Sequence, residues 1–323
     1  MTLITHTEIR HKKVPLRATF STALRSVSEL DVIEYVINGI HVGQTVATPA
    51  ITGDEHKRIV EDLSSIVLIG REVLDLVSFN SELQDSKLTQ SAKAAIDMAL
   101  YGAIHGETPP IRVKSDVTIP IASITEYPNL IAQRSDFHAF KVKLSKSSLQ
   151  ESMEKISVLR ELRPDAVIRI DPNQSWSVDE TIEFATEIEA QKIEIDYLEQ
   201  PTPRADFDAL RRIRNSCSIP LMADESCFTE RDLVSLIELE AIDFVNLKIL
   251  KNGGMTEVLR LAEIAHSGGI QVSIGSMMEG EIGVRAAAYL AASISPHTVH
   301  DLDAAWWHSQ SSIAYHDGFM VTQ

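Results

Sequence analysis

Three acidic residues in the middle of the chain follow one another at nearly even intervals: Asp171, Glu199 and Asp224. A lysine flanks the series on each side, Lys143 before it and Lys248 after it. The intervals between successive members of the series, from Lys143 to Lys248, are 28, 28, 25 and 24 residues. Each interval is the length of one strand, one helix and two loops. Each residue ends a short apolar run typical of a strand. In a (β/α)8 barrel such strand ends share the rim that carries the chemistry, so the spacing predicts three carboxylates and two amines around one pocket.

The three acidic residues are candidate metal ligands. As the ends of predicted strands three, four and five they would lie close together, and like charges in a small space raise one another's pKa unless a cation is present. All-oxygen ligands favour a hard ion, with Mg²⁺ first. We therefore predict one divalent ion, Mg²⁺, on Asp171, Glu199 and Asp224. Separate solvated or helix-capping carboxylates are the alternative.

The two lysines are candidate proton-transfer groups. Lys143 ends predicted strand two and Lys248 ends strand six, and these strands face each other across a ring of eight. A substrate between them would have one amine on each face. A lysine base needs a lowered pKa, which we expect from a second cation, Lys141 on the same strand face, and from a nearby metal ion. Surface lysines paired with acids are the alternative.

Further polar residues end the last two predicted strands. Asp301 and Asp303 close strand eight with both carboxylates on one face, and they are candidates for a second metal, a helix cap or a substrate ammonium group. Ser276 ends strand seven beside a glycine, where backbone N–H groups can face an anion. We interpret Trp306 and Trp307 as packing residues near the chain end.

The chain between 113 and 305 alternates strand-like and helix-like segments, which predicts a parallel sheet. Eight candidate strands with no long break favour a closed barrel over an open doubly wound sheet, which is the competing fold. The candidate strands are VTIPIASI, HAFKVKL, AVIRID, EIDYLEQ, IPLMADE, AIDFVNLK, IQVSIGS and HTVHDLD.

The N-terminal third of the chain is organised differently. Alternating apolar residues on both sides of Asn38–Gly39 predict an antiparallel hairpin, and two helical patterns follow, the second ending at a glycine. We therefore predict an α/β protein with an N-terminal α+β capping domain over 1–112. A modified (β/α)8 barrel follows over 113–305, and a C-terminal segment, 306–323, lies near the cap.

The composition limits the partners and the compartment. A hydrophobic fraction of 44% supports a large core, and a net charge of −16 argues against nucleic acid and anionic membranes as partners. Cys217 and Cys227 have no metal or redox spacing, which fits a reducing compartment. We find no signal-peptide pattern and no apolar run of membrane-spanning length. We expect a cytoplasmic protein with a small-molecule substrate, and a homo-oligomer remains open.

These residues, in this order, resemble the enolase superfamily and in particular its muconate-lactonizing subgroup. The segments RIDPNQSW, LEQPTP, MADES, NLKILKNGG and GSMMEGEIG are similar to the subgroup's strand-end motifs, and the resemblance covers nearly the whole chain. It implies a capped barrel in which Mg²⁺ and lysine bases act through an enediolate. It also implies that Lys141 lies beside the substrate carboxylate and stabilises its charge.

Within the subgroup, Asp301-x-Asp303 is similar to the motif with which dipeptide epimerases, such as those acting on L-Ala-D/L-Glu, bind the free ammonium group of the dipeptide. The segment FSTALRSV resembles their loop over the active site. This resemblance implies that Arg25 binds an acidic second residue and that Phe20 forms part of the pocket wall.

The resemblance also matches Thr118 and Ser276 to positions that line the site. We therefore expect a Mg²⁺-dependent dipeptide epimerase that uses two lysines. Three other reactions of the subgroup remain alternatives: muconate cycloisomerisation, o-succinylbenzoate synthesis and N-acylamino acid racemisation. A non-catalytic metal-binding barrel is the alternative from another class, although two opposed amines would have no use there.

Overall fold

A strand-rich cap lies over a curved parallel sheet whose outer face is covered by helices. The computed structural model describes residues 2–22, 26–73, 76–106, 108–144 and 148–322. Arg25, for which the sequence predicts a role in substrate binding, lies outside these ranges.

The cap begins with an antiparallel sheet in the order β2-β3-β4. Asn38 and Gly39 turn the chain between the last two strands with φ angles of 54° and 76°, as the predicted hairpin requires. The elements of the cap are β1 (Thr2–Leu3), β2 (Thr7–Ser21), β3 (Ser26–Ile37), β4 (His41–Val46), α1 (Pro49–Thr52), α2 (His56–Ser65), β5 (Glu72–Val73), α3 (Leu76–Asp85) and α4 (Gln90–His105).

Seven parallel strands follow and form one sheet in chain order, with helices between most of them. Its strands are β7 (Val117–Ile119), β8 (Ala139–Lys143), β9 (Val167–Asp171), β10 (Tyr197–Glu199), β11 (Leu221–Ala223), β12 (Phe244–Lys248) and β13 (Gln271–Gly275). The helices are α5 (Tyr127–Ala132), α6 (Leu149–Leu162), α7 (Val178–Ala190), α8 (Phe207–Arg214), α9 (Glu230–Glu238), α10 (Ile249–Asn252), α11 (Met255–Ser267) and α12 (Glu281–Ile294). This alternation is the predicted α/β arrangement.

The predicted eighth strand is shortened to two pairing residues that close the barrel. His300 bridges to Ser115, just before β7, and Asp301 bridges to Gly275 at the end of β13, both in parallel. The Asp116 amide donates to the His300 carbonyl at 2.9 Å. One short segment therefore joins the first and last strands of the sheet, and it carries Asp301 onto the rim.

The C-terminal segment returns toward the cap. His308 bridges to Leu16 of β2, and the Ser309 amide donates to the Pro15 carbonyl at 2.9 Å. Beyond it, β14 (Ala314–His316) and β15 (Phe319–Val321) form a small antiparallel sheet with β6 (Arg112–Lys114). The domain limits 1–112, 113–305 and 306–323 stay a prediction. None of the helices in the described ranges has the length and apolar character that crossing a bilayer requires.

Strand β3 joins the two cores because its side chains alternate between two faces. Val32 packs in the core shared with the barrel, whereas Ile33 and Tyr35 pack within the cap. On the barrel side, the Thr256 amide of α11 donates to the buried carboxylate of Asp97 in α4 at 3.1 Å. The cap is therefore bound to the part of the barrel that directly follows Lys248.

The close approach of β4 to α4 predicts an effect of substitution at Gly43. A Cβ atom there would lie 1.8 Å from the Ala95 carbonyl oxygen. Because this oxygen belongs to the backbone of α4, no side-chain rotation can relieve the clash. We expect Gly43→Ala to lower the free energy of unfolding by about 3 kcal/mol, the upper part of the usual range for overpacking, in urea titrations followed by circular dichroism. The control is Gly102→Ala on α4, where nothing lies within 4 Å of the new Cβ atom. It should be neutral or stabilising by about 0.5–1 kcal/mol. Equal stability of the two variants would contradict this packing.

Candidate active site

The carboxyl-terminal ends of the barrel strands surround a cavity that residues of the cap cover. Ile51 of α1, which the sequence analysis did not single out, and Phe20 of β2 contribute from the cap. Eight of the predicted site residues line this one cavity: Phe20, Thr118, Lys143, Asp224, Lys248, Ser276, Asp301 and Asp303. The other three described ones, Lys141, Asp171 and Glu199, are buried among the same strand ends.

The three predicted metal ligands lie on neighbouring strands and are almost fully buried. Asp171 ends β9, Glu199 ends β10 and Asp224 follows β11, with exposed fractions of 1%, 0% and 3%. Their oxygens do not come within 4.8 Å of one another as a group, and lysine ammonium groups lie beside each of them. A buried carboxylate must be paired or coordinate a cation. The donor set, three carboxylates, therefore fits a hard divalent ion.

Lys141 lies at the centre of these carboxylates and is fully buried. Its Nζ is 2.6 Å from Glu199 Oε2, 2.8 Å from Asp301 Oδ2 and 3.6 Å from Asp171 Oδ2. Burial alone would lower the pKa of Lys141, but the carboxylates outweigh it and hold this pKa well above its usual value. Lys141 is thus a fixed cation. It suits charge stabilisation and is unsuited to accept a proton.

Lys143 and Lys248 are the two amines that line the cavity, from β8 and β12. Lys143 donates a short hydrogen bond to Asp171. Lys248 donates to Asp224 Oδ2 at 2.7 Å and lies 3.7 Å from Asp301 Oδ2. Both strands follow the predicted order, since β8 and β12 are the second and sixth strands of the barrel sheet.

The charges around Lys248 act on its pKa in both directions. Burial lowers its pKa, but the carboxylates of Asp224 and Asp301 raise it above the usual value. Lys141, the second cation that the sequence indicated, lowers this pKa, but the two carboxylates outweigh it. A divalent ion on the acids would add to the lowering, so the lowered pKa of a lysine base beside a metal stays a prediction.

Two polar residues that the sequence analysis missed support the carboxylates. Lys251, fully buried, donates to Asp224 Oδ1 at 2.9 Å and to the carbonyl oxygens of Asp224 and Asn246 at 2.6 and 2.7 Å. Asn246 donates to Glu199 Oε1 at 2.9 Å and to Asp301 Oδ2 at 3.2 Å. Strand alternation could have found Asn246, because it shares a face with the residue two positions on, Lys248.

These contacts separate the pKa values of the acids. Burial raises the pKa of Asp224, but Lys248 and Lys251 more than offset this and hold it well below its usual range. Glu199 keeps a raised pKa, because burial outweighs the attraction of Lys141. Glu225, another cavity-lining residue that was missed, has its pKa raised to about 8 by burial and by the charges of Asp224 and Asp171.

The two carboxylates of the last strand are held by different partners. Asp301 Oδ2 accepts hydrogen bonds from Lys141 and Asn246. Asp303 Oδ2 accepts one from the Thr118 amide at 2.7 Å and one from Trp307 Nε1 at 3.0 Å. The interpretation of Trp307 as a packing residue is therefore incomplete, since its N–H also contacts a cavity-lining carboxylate. Trp307 is the last residue of a short 3-10 helix, Ala304–Trp307, that the sequence pattern did not reveal.

One other group of potential metal ligands lies on the cap. Ligand atoms of His11, Asp31 and His56 come within 4.8 Å of one another, the one such group found across the described ranges. These side chains are exposed or half-buried, and Lys13 Nζ already lies 3.2 Å from Asp31 Oδ2. We therefore assign no site there.

The capped barrel and its strand-end residues agree with comparisons to known proteins. Residues 127–323 match a family model described as Enolase C-terminal domain-like. The L-Ala-D/L-Glu epimerase of Clostridium acetobutylicum is 29% identical, over 91% of this chain and 88% of that protein. The chain therefore belongs to the enolase superfamily.

Two solved structures share the whole architecture. The L-Ala-D/L-Glu epimerase of Bacillus subtilis, in a substrate-liganded complex, gives a TM-score of 0.91 at 26% identity, covering 100% of this chain and 97% of the other. The dipeptide epimerase of Cytophaga hutchinsonii, complexed with Mg and the dipeptide D-Ala-L-Val, gives 0.87 at 27%, covering 99% and 94%. Within its superfamily the chain is an isomerase of the racemase and epimerase type.

Proposed function

We propose that this protein is a Mg²⁺-dependent dipeptide epimerase that inverts the α-carbon of the C-terminal residue of its substrate. The observation that carries the proposal is the arrangement of one cavity. Lys143 and Lys248 reach it from the second and sixth strands, and Asp301 and Asp303 reach it from the last segment. Two opposed amines suit inversion, and two carboxylates suit a positively charged substrate group.

The two lysines have complementary roles in this reaction. The lysine that is a free amine removes the α-proton from one face of the substrate, and the electron pair spreads into the carboxylate as an enediolate. The other lysine, an ammonium, delivers a proton to the opposite face. In the reverse direction the roles exchange.

A divalent ion fits the buried acids of the site. Asp171, Glu199 and Asp224 would hold it, because three carboxylates on adjacent strands form the all-oxygen donor set that Mg²⁺ prefers. When bound, the ion would polarise the substrate carboxylate and offset the negative charge that raises the pKa of Lys248. Lys141 adds a fixed positive charge beside the same acids.

Asp301 and Asp303 support a substrate with a free ammonium group. Charge-assisted hydrogen bonds to such a group contribute about 1.5–3 kcal/mol each. An N-acylated amino acid has no such charge and would bring no cation to Asp303, for which the described chain shows hydrogen-bond donors but no ion pair. The same argument disfavours muconate and o-succinylbenzoate chemistry. Phe20, Thr118 and Ser276 line the rest of the cavity and are proposed to contact the substrate.

The second residue of the dipeptide is the least defined part of the substrate. The Bacillus subtilis relative is named for L-Ala-D/L-Glu, and the Cytophaga hutchinsonii relative is complexed with D-Ala-L-Val. The sequence resemblance matches Arg25 to a residue that binds an acidic second residue of the dipeptide. The planar guanidinium of arginine suits a side-chain carboxylate.

A substrate panel tests the proposed function. We expect free dipeptides of the Ala-Glu type to gain one α-deuterium in D₂O and to epimerise, because the cavity offers both the ammonium site and the two amines. N-acetyl and N-succinyl amino acids should react at least tenfold more slowly, about the contribution of one charge-assisted hydrogen bond. Mass spectrometry and chiral chromatography measure the two products. Faster turnover of an N-acyl amino acid than of every dipeptide would reject the epimerase in favour of an N-acylamino acid racemase.

The two-lysine mechanism predicts distinct defects for each lysine. Lys143→Ala and Lys248→Ala should both abolish net epimerisation, because each removes the proton-transfer group of one face. Each variant is expected to exchange the α-proton of at most one epimer with solvent. The epimer that still exchanges should differ between the two variants. Lys57→Ala, whose side chain is 89% exposed, is the control. Epimerisation at the wild-type rate by either variant would contradict the assignment.

Removal of the divalent ion should stop the reaction. We expect excess EDTA to abolish exchange and added Mg²⁺ to restore it, and Asp224→Asn to weaken Mg²⁺ binding in isothermal titration calorimetry by at least tenfold, or about 1.4 kcal/mol. Asp208→Asn, at an exposed position, should bind Mg²⁺ like the wild type. Full activity in EDTA would show that the acids serve another purpose.

A further inference from the structure

The indole of Trp307 contacts the carboxylate proposed to receive the substrate ammonium group. Trp307 Nε1–H donates to Asp303 Oδ2 at 3.0 Å, and the Thr118 amide donates to the same oxygen at 2.7 Å. Both donors hold one oxygen, so neither of them occupies Oδ1, and Asp303 lines the cavity. The two hydrogen bonds therefore fix the rotation of the carboxylate about its last bond.

The ring of Trp307 is itself held on two sides. The edge of Phe20 meets it with ring centroids 5.0 Å apart and an interplanar angle of 78°. The guanidinium carbon of Arg134 lies 5.0 Å from the ring, and Arg134 Nε donates to the Thr118 carbonyl at 2.9 Å. Trp307 and Thr118, the two donors to Asp303, are thus braced by one buried arginine. Exposed fractions of 2%, 2% and 1% for Trp307, Thr118 and Arg134 leave little freedom to move.

The charge on Asp303 also needs these donors. Burial, which leaves Asp303 5% exposed, and the like charge of Asp301 on the same segment raise the pKa of Asp303. Asp301 has lysine partners, whereas the ion pairs of the described chain include none to Asp303. Hydrogen bonds to the ionised form favour it. The hydrogen bonds from Thr118 and Trp307 act against this rise, and a cation in the cavity would favour the ionised form further.

We propose that Trp307 is a positioning residue that sets selectivity for a substrate with a free ammonium group. Through its N–H it orients Asp303, and through its ring it links that carboxylate to Phe20 of the cap. This inference rests on the proposed dipeptide epimerase function and adds the element that makes the ammonium site rigid. It does not involve the proton-transfer lysines, so it predicts an effect on substrate binding and not on the chemical step.

Trp307→Phe separates the N–H from the ring. Phenylalanine retains an aromatic face toward Phe20 but cannot donate to Asp303. We expect KM for a free dipeptide to rise about tenfold, the equivalent of one charge-assisted hydrogen bond, with kcat changed by less than about twofold. The preference for the free dipeptide over its N-acetyl derivative, as a ratio of kcat/KM values, should fall about tenfold as well.

Trp306→Phe is the matched control. Trp306 is the adjacent residue in the same 3-10 helix, and its ring lies 4.5 Å from the guanidinium of Arg17 and 4.7 Å from that of Arg134. Its backbone amide donates to the Asp303 carbonyl at 2.9 Å, a bond that the substitution keeps, but its side chain has no hydrogen bond to the Asp303 carboxylate among the described contacts. This variant should lose comparable packing and keep both KM and selectivity. An equal change in both variants would reduce Trp307 to a packing residue and overturn the inference.

The outcomes distinguish this inference from the proposed function. If the wild type epimerises dipeptides and Trp307→Phe keeps its KM and selectivity, the positioning role is wrong and the function stands. If the wild type acts on no free dipeptide, the proposed function fails first, and the selectivity role fails with it. Should Trp307→Phe not fold, a benzothienylalanine at position 307, which keeps a bicyclic ring without the N–H, is the replacement. The same tenfold KM change is then expected, and its absence overturns the proposal.

Discussion

The burial of carboxylates at the strand ends is the constraint on which the rest of the site depends. Asp171, Glu199 and Asp224 are nearly inaccessible to water, and a buried anion is unstable unless a cation or strong donors accompany it. Lysine ammonium groups meet that need in the structure, with Lys141 at the centre. Because these carboxylates require positive charge, they are also suited to bind a divalent ion. A metal ion and the ammonium groups would then compete for the same oxygens.

This constraint links binding to proton transfer. Asp224, which would hold a metal, also raises the proton affinity of Lys248, together with Asp301. A change in the charge of the acid group therefore changes the readiness of a cavity-lining lysine to give up its proton. Lys251 adds to the effect of Lys248 in lowering the pKa of Asp224, and it donates to both the carboxylate and the main-chain carbonyl of that residue.

The cap completes the site from the other side, and its position is fixed by packing. Strand β3 contributes Val32 to the barrel core and Ile33 to the cap core, so the two parts cannot separate without exposing apolar surface. At the near end of the same sheet, Phe20 meets Trp307, which holds Asp303. The wall of the cavity and the carboxylate proposed to bind the ammonium group are thus connected through one indole ring.

The sequence by itself determined the order of the barrel strands and the placement of chemistry-bearing residues at their ends. Period-two alternation and a regular βα spacing are local properties, so the positions of Lys143, Asp171, Glu199, Asp224 and Lys248 could be predicted without coordinates. The hairpin at Asn38–Gly39 was predictable for the same reason, because the turn depends on those two residues. The roles of the site residues, in contrast, remain proposals.

Only the tertiary structure decided which charges are neighbours. It placed Asp224 and Asp301 beside Lys248, and these carboxylates raise the pKa of that lysine. It also shortened the last strand to His300 and Asp301, and it brought Trp307 onto Asp303. Such contacts join residues far apart in the chain, or follow from an irregular turn. Electrostatic and hydrogen-bond energies depend on distances of a few ångströms, which spacing along a sequence does not specify.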